Sequence, residues 1–409
     1  MIFEIIFWIL SLLIFLPNIN LVFSFSKSEL FPWALIFSAS KSIRFSIPYL
    51  VFIFYLTISA FFTFSQNGEW LQPFRSLTAI VNATFIFYRI LFCTNKEYSM
   101  IENALIIVFF VCVFIGLLQY FNLFPSFLVE FMSNLIPRFK SSLAINDIRG
   151  ISSLFSEPAY YAYSFNYSAF YILYRKKIKP DNILGVLAFL FVLVFNIFFI
   201  RSATGLIFSI LYIFFLFPLK QRGVFVIIFT IIGIIAITYF SQDLAKYRAI
   251  SAFNQIFSKS STYDIYVTFL DVSGFRAVSI IFSYLYGFNH FLGGGIGNWA
   301  QTSAIAYKAL GIPISNLSYY FNGVFIGTRP SSITADIMLE SGLLGLLLFL
   351  LAFAKYIFNK QIWSNPNLRS FIIIIVFNIF IIGTIGDPTP FIFLGLICRN
   401  LFNNILDIS

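Results

Sequence analysis

Apolar residues run along this chain in long, unbroken stretches separated by short polar turns. They cover 2–17, 19–40, 44–65, 71–94, 101–123, 158–175, 182–200, 203–219, 223–240, 332–356, 368–386 and 388–406. The pattern does not alternate with period two, as the strands of a membrane barrel would. Most stretches approach the roughly 20 residues that carry a helix across the hydrocarbon of a bilayer. Backbone groups in hydrocarbon must bond within their own segment or a closed barrel, so these stretches predict helices. Lys27 and Glu29 interrupt the second stretch. The expected fold is therefore an all-α polytopic membrane protein with 11–12 transmembrane helices.

The polar turns set the expected orientation. Lys41 and Arg44, Arg89 and Lys96, Arg175, Lys176, Lys177 and Lys179, Lys220 and Arg222, and Lys355 and Lys360 fall on one side if both termini are cytoplasmic. Basic residues in short loops mark that side. Two longer connections, 124–157 and 241–331, then face outward. The expected organisation is an N-terminal group of helices over 1–123, an outer loop over 124–157 and central helices over 158–240. A large extracytoplasmic loop over 241–331 and C-terminal helices over 332–409 complete it. The large loop holds Lys246, Arg248, Lys259, Arg276, Lys308 and Arg329 against Asp243, Asp264 and Asp271. Acidic lipid headgroups or an anionic ligand at the outer face would each account for this basic surplus.

Composition agrees with the pattern. Of 409 residues, 60% are hydrophobic and 10% charged, and 58 are phenylalanine. A soluble domain carries about 25% charged residues. The start, MIFEIIFWIL, has neither a basic region nor a small-residue cleavage site and reads as a retained helix. Cys93, Cys112 and Cys398 lie in or beside apolar stretches and read as packing residues. No phosphate-binding glycine loop and no metal-ligand spacing is present. No cofactor, no metal and no nucleic-acid partner is expected.

Charges at the ends of membrane spans are the candidates for chemistry, because burying them is costly. Arg149 and Glu157 flank the stretch that ends in Pro158. Glu157 and Pro158 alone would make a capped helix start. Tyr160, Tyr163, Tyr167, Tyr171 and Tyr174 follow on one helix face; packing explains most of them, and Tyr160 and Tyr163 lie nearest the outer surface. Arg201 occupies an outward turn, where it either snorkels or binds an anion. Arg276 opens an apolar stretch expected to rest as a helix in the interface. His290, the single histidine, precedes a glycine run that includes Gly295 and Gly297, where the backbone permits close approach. Arg329 leads into a span carrying Asp336 and Glu340, four apart on one face. Dipole compensation at a helix start would explain Asp336 better than the deeper Glu340. Asp387 sits in the last outward turn. Four arginines and three carboxylates thus converge on one face, as suits holding a diphosphate and transferring the group attached to it.

These segments carry a resemblance. RGISSLFSEPAYYA resembles the Arg-Gly-Phe-Glu-Pro segment of bacterial O-antigen and capsule polymerases of the Wzy type. RSATG resembles their Arg/Ser-Thr-Gly turn, HFLGGGIGNW their late-loop Gly-x-Gly-Asn segment, and ADIMLESGLLGLLLFL the start of the helix after that loop. The resemblance covers roughly 145–350 and the layout of spans. It implies a GT-C-like, metal-independent glycosyltransferase in the bacterial cytoplasmic membrane, with its active site facing outward. Its substrates would be undecaprenyl-diphosphate-linked oligosaccharides, polymerised into O-antigen or capsule, with a flippase and a chain-length regulator as partners beside the membrane lipids. Arg149, Arg201, Arg276, Arg329, Gly295, Gly297, Tyr160 and Tyr163 would bind substrate. Glu157, Asp336 and Glu340 would supply the base or position the acceptor. The related O-antigen ligases usually carry a histidine about nine residues before the motif Glu; here Ser331 stands there. A ligase and a flippase or transporter without chemistry are the alternatives.

Overall fold

The computed structural model describes residues 2–16, 19, 31–40, 43–123, 125–136, 150–178, 182–216, 255–256, 258–273, 275–311 and 327–406. Arg149, the expected span 223–240, most of the interrupted second stretch, and Lys246 and Arg248 lie outside these residues. Among the described residues every regular element is helical and no strand occurs. In chain order the helices are α1 (Ile2–Leu13), α2 (Pro32–Ala39), α3 (Ile47–Asn67), α4 (Leu71–Leu91), α5 (Asn95–Tyr120), α6 (Ser126–Leu135), α7 (Pro158–Arg175), α8 (Ile183–Val194), α9 (Ala203–Leu216), α10 (Thr262–Ser273), α11 (Phe275–Asn289), α12 (Trp299–Tyr307), α13 (Ile333–Ile357), α14 (Lys360–Ser364), α15 (Pro366–Ile381) and α16 (Thr389–Leu406).

Local chemistry explains the boundaries. Thr94 and Glu97 form a reciprocal capping box that opens α5, which satisfies two amides that the first turn leaves without a helical partner. Ser332 caps α13 by accepting from Ala335 N. Gly68 stops α3 at φ +69°. The end of α8 widens over Phe195–Ile200, where Arg201 N donates to Asn196 O at 2.9 Å, an i to i+5 bond. Such wider turns are frequent at functional sites.

Four of the described helices are long and apolar enough to cross a membrane, or five if the bent pair α10–α11 counts as one span. Shorter apolar helices accompany them at Ile2–Leu13, Thr204–Leu216, Pro366–Ile381 and Thr389–Leu401. The outer surface fits a lipid solvent. Phe54 and Phe61 on α3, and Phe110 and Phe114 on α5, are each more than 60% exposed. Spacings of seven and four residues put each pair on one helix face. The protein is thus an apolar helical bundle of multi-pass membrane type.

Ion pairs identify the two ends of the bundle. At one end Arg89 pairs with Glu97 at 3.0 Å, Lys96 with Glu4, and Arg175 with Glu102 at 2.5 Å. α5 and α8 start at that end, and α4, α7 and α13 finish there, since Tyr88 on α4 reaches Ala352 O on α13. The opposite end therefore gathers the starts of α4, α7, α9, α13 and α16 and the finishes of α3, α5, α8 and α15. Every described candidate from the sequence falls at this second end, called the site end below.

The apolar stretch after Arg276 is helical, as expected. As α11 it packs along α13, with Val278, Ser279, Phe282 and Ser283 buried. Gly287 makes this close approach possible, because a Cβ there would stand 2.7 Å from Met338 O. The stretch is thus packed as part of the bundle.

Candidate functional site at a broken helix

The site is built on a break in α13. Gly342 adopts φ +65° and ψ −165° in the middle of the helix, a conformation open essentially to glycine alone. The break would strand several backbone groups in an apolar interior, and other segments take them up. Gly294 N donates to Leu339 O at 3.0 Å and Gly295 N to Glu340 O at 2.8 Å. Tyr55 OH donates to Ser341 O at 2.9 Å, and Leu344 N donates to Phe291 O at 3.1 Å. Irregular backbone at membrane depth survives only where protein or a lined cavity satisfies it in this way.

The glycine run therefore docks into protein. A Cβ on Gly293 would stand 2.4 Å from Gly342 N, one on Gly295 2.4 Å from Thr63 Oγ1, and one on Gly297 2.3 Å from Pro73 N. Gly293, Gly295 and Gly297 all have positive φ. Gly295 and Gly297, expected at substrate, bring their backbone against α3, α4 and the break. His290 joins this packing: its Nδ1 lies 2.9 Å from Tyr286 O and its ring stacks on Tyr286 at 3.9 Å.

Glu340 stands at the break, fully buried, with Asp336 one turn earlier and also fully buried. Arg329 bridges them. Its Nε donates to Asp336 Oδ2 at 2.8 Å and its Nη2 to Glu340 Oε1 at 3.1 Å. Ser76 on α4 donates to Glu340 Oε1 at 3.1 Å and also accepts from Arg329 Nη2. The guanidinium lies over the Trp299 ring, 5.8 Å from its centre. Asp336 lies in the first turn of α13, as dipole compensation expects, and is also an ion-pair partner of Arg329. Arg329, expected to meet a diphosphate, is engaged by two carboxylates. Ser76 escaped sequence reading, since nothing in its local context marks it, and Trp299 was read only as the end of the glycine segment HFLGGGIGNW. Gly342, two residues beyond Glu340 in an apolar helix, was the one sequence signal of the break.

A second pair lies nearby. Arg276 Nη2 reaches Glu157 Oε2 at 3.4 Å, with Arg276 47% and Glu157 23% exposed. Glu157 occupies the N-cap position of α7, but its side chain makes no cap bond. The capped-start reading thus accounts for Pro158 and not for this carboxylate. Arg276 O accepts from Ser279 Oγ, which itself accepts from Ser331 N at 3.4 Å. One helical turn of α11 and two residues of chain thus separate the exposed pair from the Arg329 cluster.

The segment before α7 is held inside the bundle. Ser153, at φ +50°, donates through its amide to Gln119 Oε1 at 2.8 Å and through Oγ to Cys112 O at 2.6 Å. Ile151 N donates to Phe199 O at 3.0 Å, and a Cβ on Gly150 would stand 1.9 Å from Ile200 O. This docking brings the chain beside Arg149 to the turn that carries Arg201. Arg201 is itself at φ +52°, donates through Nε to Phe198 O at 3.1 Å, and lies 5.9 Å from the centre of the Tyr120 ring.

The tyrosine face of α7 divides along its length. Tyr171 OH donates to Glu102 Oε1 at 2.7 Å and Tyr174 OH accepts from Asn400 Nδ2 at 2.9 Å, both at the far end. Tyr167 stacks on Phe393 at 5.1 Å. Tyr160 packs edge-on against Tyr163 at 5.6 Å, and Tyr163 OH donates to Asp387 Oδ2 at 2.7 Å. Tyr163 is fully buried and Tyr160 partly so. Asp387 lies in the turn outside the helices, and burial raises its carboxyl above the ordinary value.

The structure therefore gathers Glu157, Arg276, Arg329, Asp336 and Glu340 into adjoining clusters, with Arg201 and Tyr160 at the same end. No protein-family model, no curated protein and no solved structure matches this chain.

Proposed function

We propose that the protein is a membrane glycosyltransferase that lengthens a lipid-linked oligosaccharide, polymerising repeat units carried on undecaprenyl diphosphate. The topology proposed with it has 11–12 spans, both termini cytoplasmic, and the site end on the outer leaflet. The supporting observation is the buried Arg329–Asp336–Glu340–Ser76 cluster at the break in α13, beside the more exposed Glu157–Arg276 pair. A broken membrane helix with a carboxylate at the break holds a reactive group rigidly at depth, which positions a reacting hydroxyl.

In the proposed reaction the acceptor hydroxyl attacks the anomeric carbon of the donor glycan. The new C–O bond forms as the bond to the lipid diphosphate breaks, and the hydroxyl proton passes to a carboxylate. Glu340 is the first choice of base and Asp336 its neighbour, with Arg329 holding both in place. Arg201 and Arg276, the more open cations, would stabilise charge on the departing diphosphate. Glu157 would then orient Arg276.

The broken helix also favours a second reading. Half-helices with charged residues at their ends build the substrate sites of secondary transporters. Purified protein supplied with lipid-linked repeat units in detergent separates the two, because no membrane barrier exists there. Product ladders that vanish in Glu340→Gln are expected. Unchanged substrate with wild-type protein, together with movement of the same substrate across proteoliposomes, would move the reading to transport.

A further inference from the structure

The turn between α15 and α16 contains a second group of buried polar atoms that the proposed reaction does not use. Asp387 is fully buried, and its carboxylate accepts from neutral donors, among them Tyr163 OH at 2.7 Å, Thr389 N at 3.0 Å and the Thr389 side chain. Among the described residues no cation pairs with it. An ionised carboxylate in such a place is strongly destabilising without a positive partner. Asn378, on the last turn of α15, is also fully buried, and neither Oδ1 nor Nδ2 has a hydrogen-bond partner among the described residues. Thr384 Oγ1, three residues before Asp387, is also buried without a partner among the described residues.

The Asp387 and Asn378 side chains lie beside one point, in the turn that also carries Thr384. Gly383 has φ +115°, and a Cβ on it would stand 3.8 Å from Asp387 Oδ2 and 3.9 Å from Asn378 Oδ1. The point beside the Gly383 Cα is thus within ordinary contact distance of both oxygens. The turn itself is fixed, since Asp387 N donates to Thr384 O at 2.9 Å. Ser332 Oγ and Thr334 Oγ1, on α13, donate to Phe380 O and Ile379 O at 2.8 and 3.0 Å. That contact joins this turn to the helix bearing Asp336 and Glu340.

We propose that this turn holds a single alkali cation, liganded by the Asp387 carboxylate, Asn378 Oδ1 and Thr384 Oγ1. The donors are all hard oxygens, which suit alkali and alkaline-earth ions over transition metals. One carboxylate balances one positive charge, so a monovalent ion leaves the buried site neutral, whereas a divalent ion would leave it charged. The ion ties α15 and α16 to Tyr163 on α7 and, through Ser332, to the start of α13.

Direct binding of 22Na+ and 86Rb+ to the purified full chain in detergent, without glycan, tests this. Saturable binding of one of the two ions is expected. It should be abolished by Asp387→Asn and weakened about tenfold or more, roughly 1.4 kcal/mol, by Asn378→Ala and Thr384→Val, with Glu157→Gln unchanged. The milder Asn378→Ala and Thr384→Val variants keep the test decisive if Asp387→Asn does not fold. Absence of binding of either ion to the wild type would overturn the proposal and leave a proton on Asp387. Equal binding to all variants would overturn it too, by placing the ion elsewhere. Neither outcome bears on glycan lengthening, which is read separately.

Discussion

Replacing Arg329 by alanine would strip Asp336 and Glu340 of the guanidinium that bridges them. Both carboxylates are fully buried, and Arg329 is 10% exposed, so water cannot substitute for it. Removing one partner of a buried ion pair costs about 3–5 kcal/mol. That is a large part of the ~5–15 kcal/mol by which folded proteins are stable. Arg329→Ala should therefore accumulate poorly in membranes and unfold well below the wild type when heated in detergent, followed by intrinsic tryptophan fluorescence. Two further variants separate architecture from chemistry. Glu340→Gln keeps an amide oxygen facing Arg329 Nη2 and Ser76 Oγ, so it loses only the charge assistance of a hydrogen bond, about 1 kcal/mol. It should fold and yet form no long glycan. The combined Arg329→Met, Asp336→Asn, Glu340→Gln variant removes all three charges together and should recover most of the lost stability while remaining inactive. A wild-type unfolding temperature for Arg329→Ala would refute the argument that this guanidinium neutralises the two acids. Normal glycan ladders from the combined variant would refute a chemical role for the cluster.

Further expectations follow from the same geometry. Gly342→Ala combines a glycine-only backbone with a Cβ 2.4 Å from His290 O and Phe291 O, so it should cost about 3 kcal/mol or more and reduce membrane accumulation. Gly68→Ala, at φ +69° with open space around it, should cost only about 1–2 kcal/mol by the same thermal assay. Arg276→Ala and Glu157→Gln break a partly exposed pair, so each should change stability by less than about 1 kcal/mol while abolishing long-chain product on gels. Arg175→Ala, at the far end, should lower the unfolding temperature through loss of its bonds to Glu102 and Asn400. It should leave the chain-length distribution of the product unaltered.

Much of this architecture is legible in the residues themselves. Unbroken apolar runs admit few backbone solutions in lipid, and Pro48, Pro158, Gly68, Thr94 with Glu97, and Ser332 mark where helices start or stop. The costly charges were also legible, because each sits at the edge of an apolar run or, like Glu340, within one. What Arg276 and Glu157 do together was not, since 119 positions separate them. Ser76 carries no local sign that it meets Glu340. That the glycine run supplies backbone amides to the break in α13 was not legible either, since Gly294 and Gly295 lie more than forty positions from Leu339 and Glu340.

By itself the sequence determined the class of solvent, the helical state of the backbone and the list of costly charges, because these depend on composition and local periodicity. Only the tertiary structure decided which charges neutralise one another. Arg329 could have faced an anion at the surface and instead bridges Asp336 and Glu340, since burial makes an unpaired carboxylate more costly than a committed arginine. It also decided where α13 breaks, because a break inside an apolar bundle is stable only where Gly294, Gly295, Tyr55 and Phe291 arrive from elsewhere in the chain to bond the backbone it exposes.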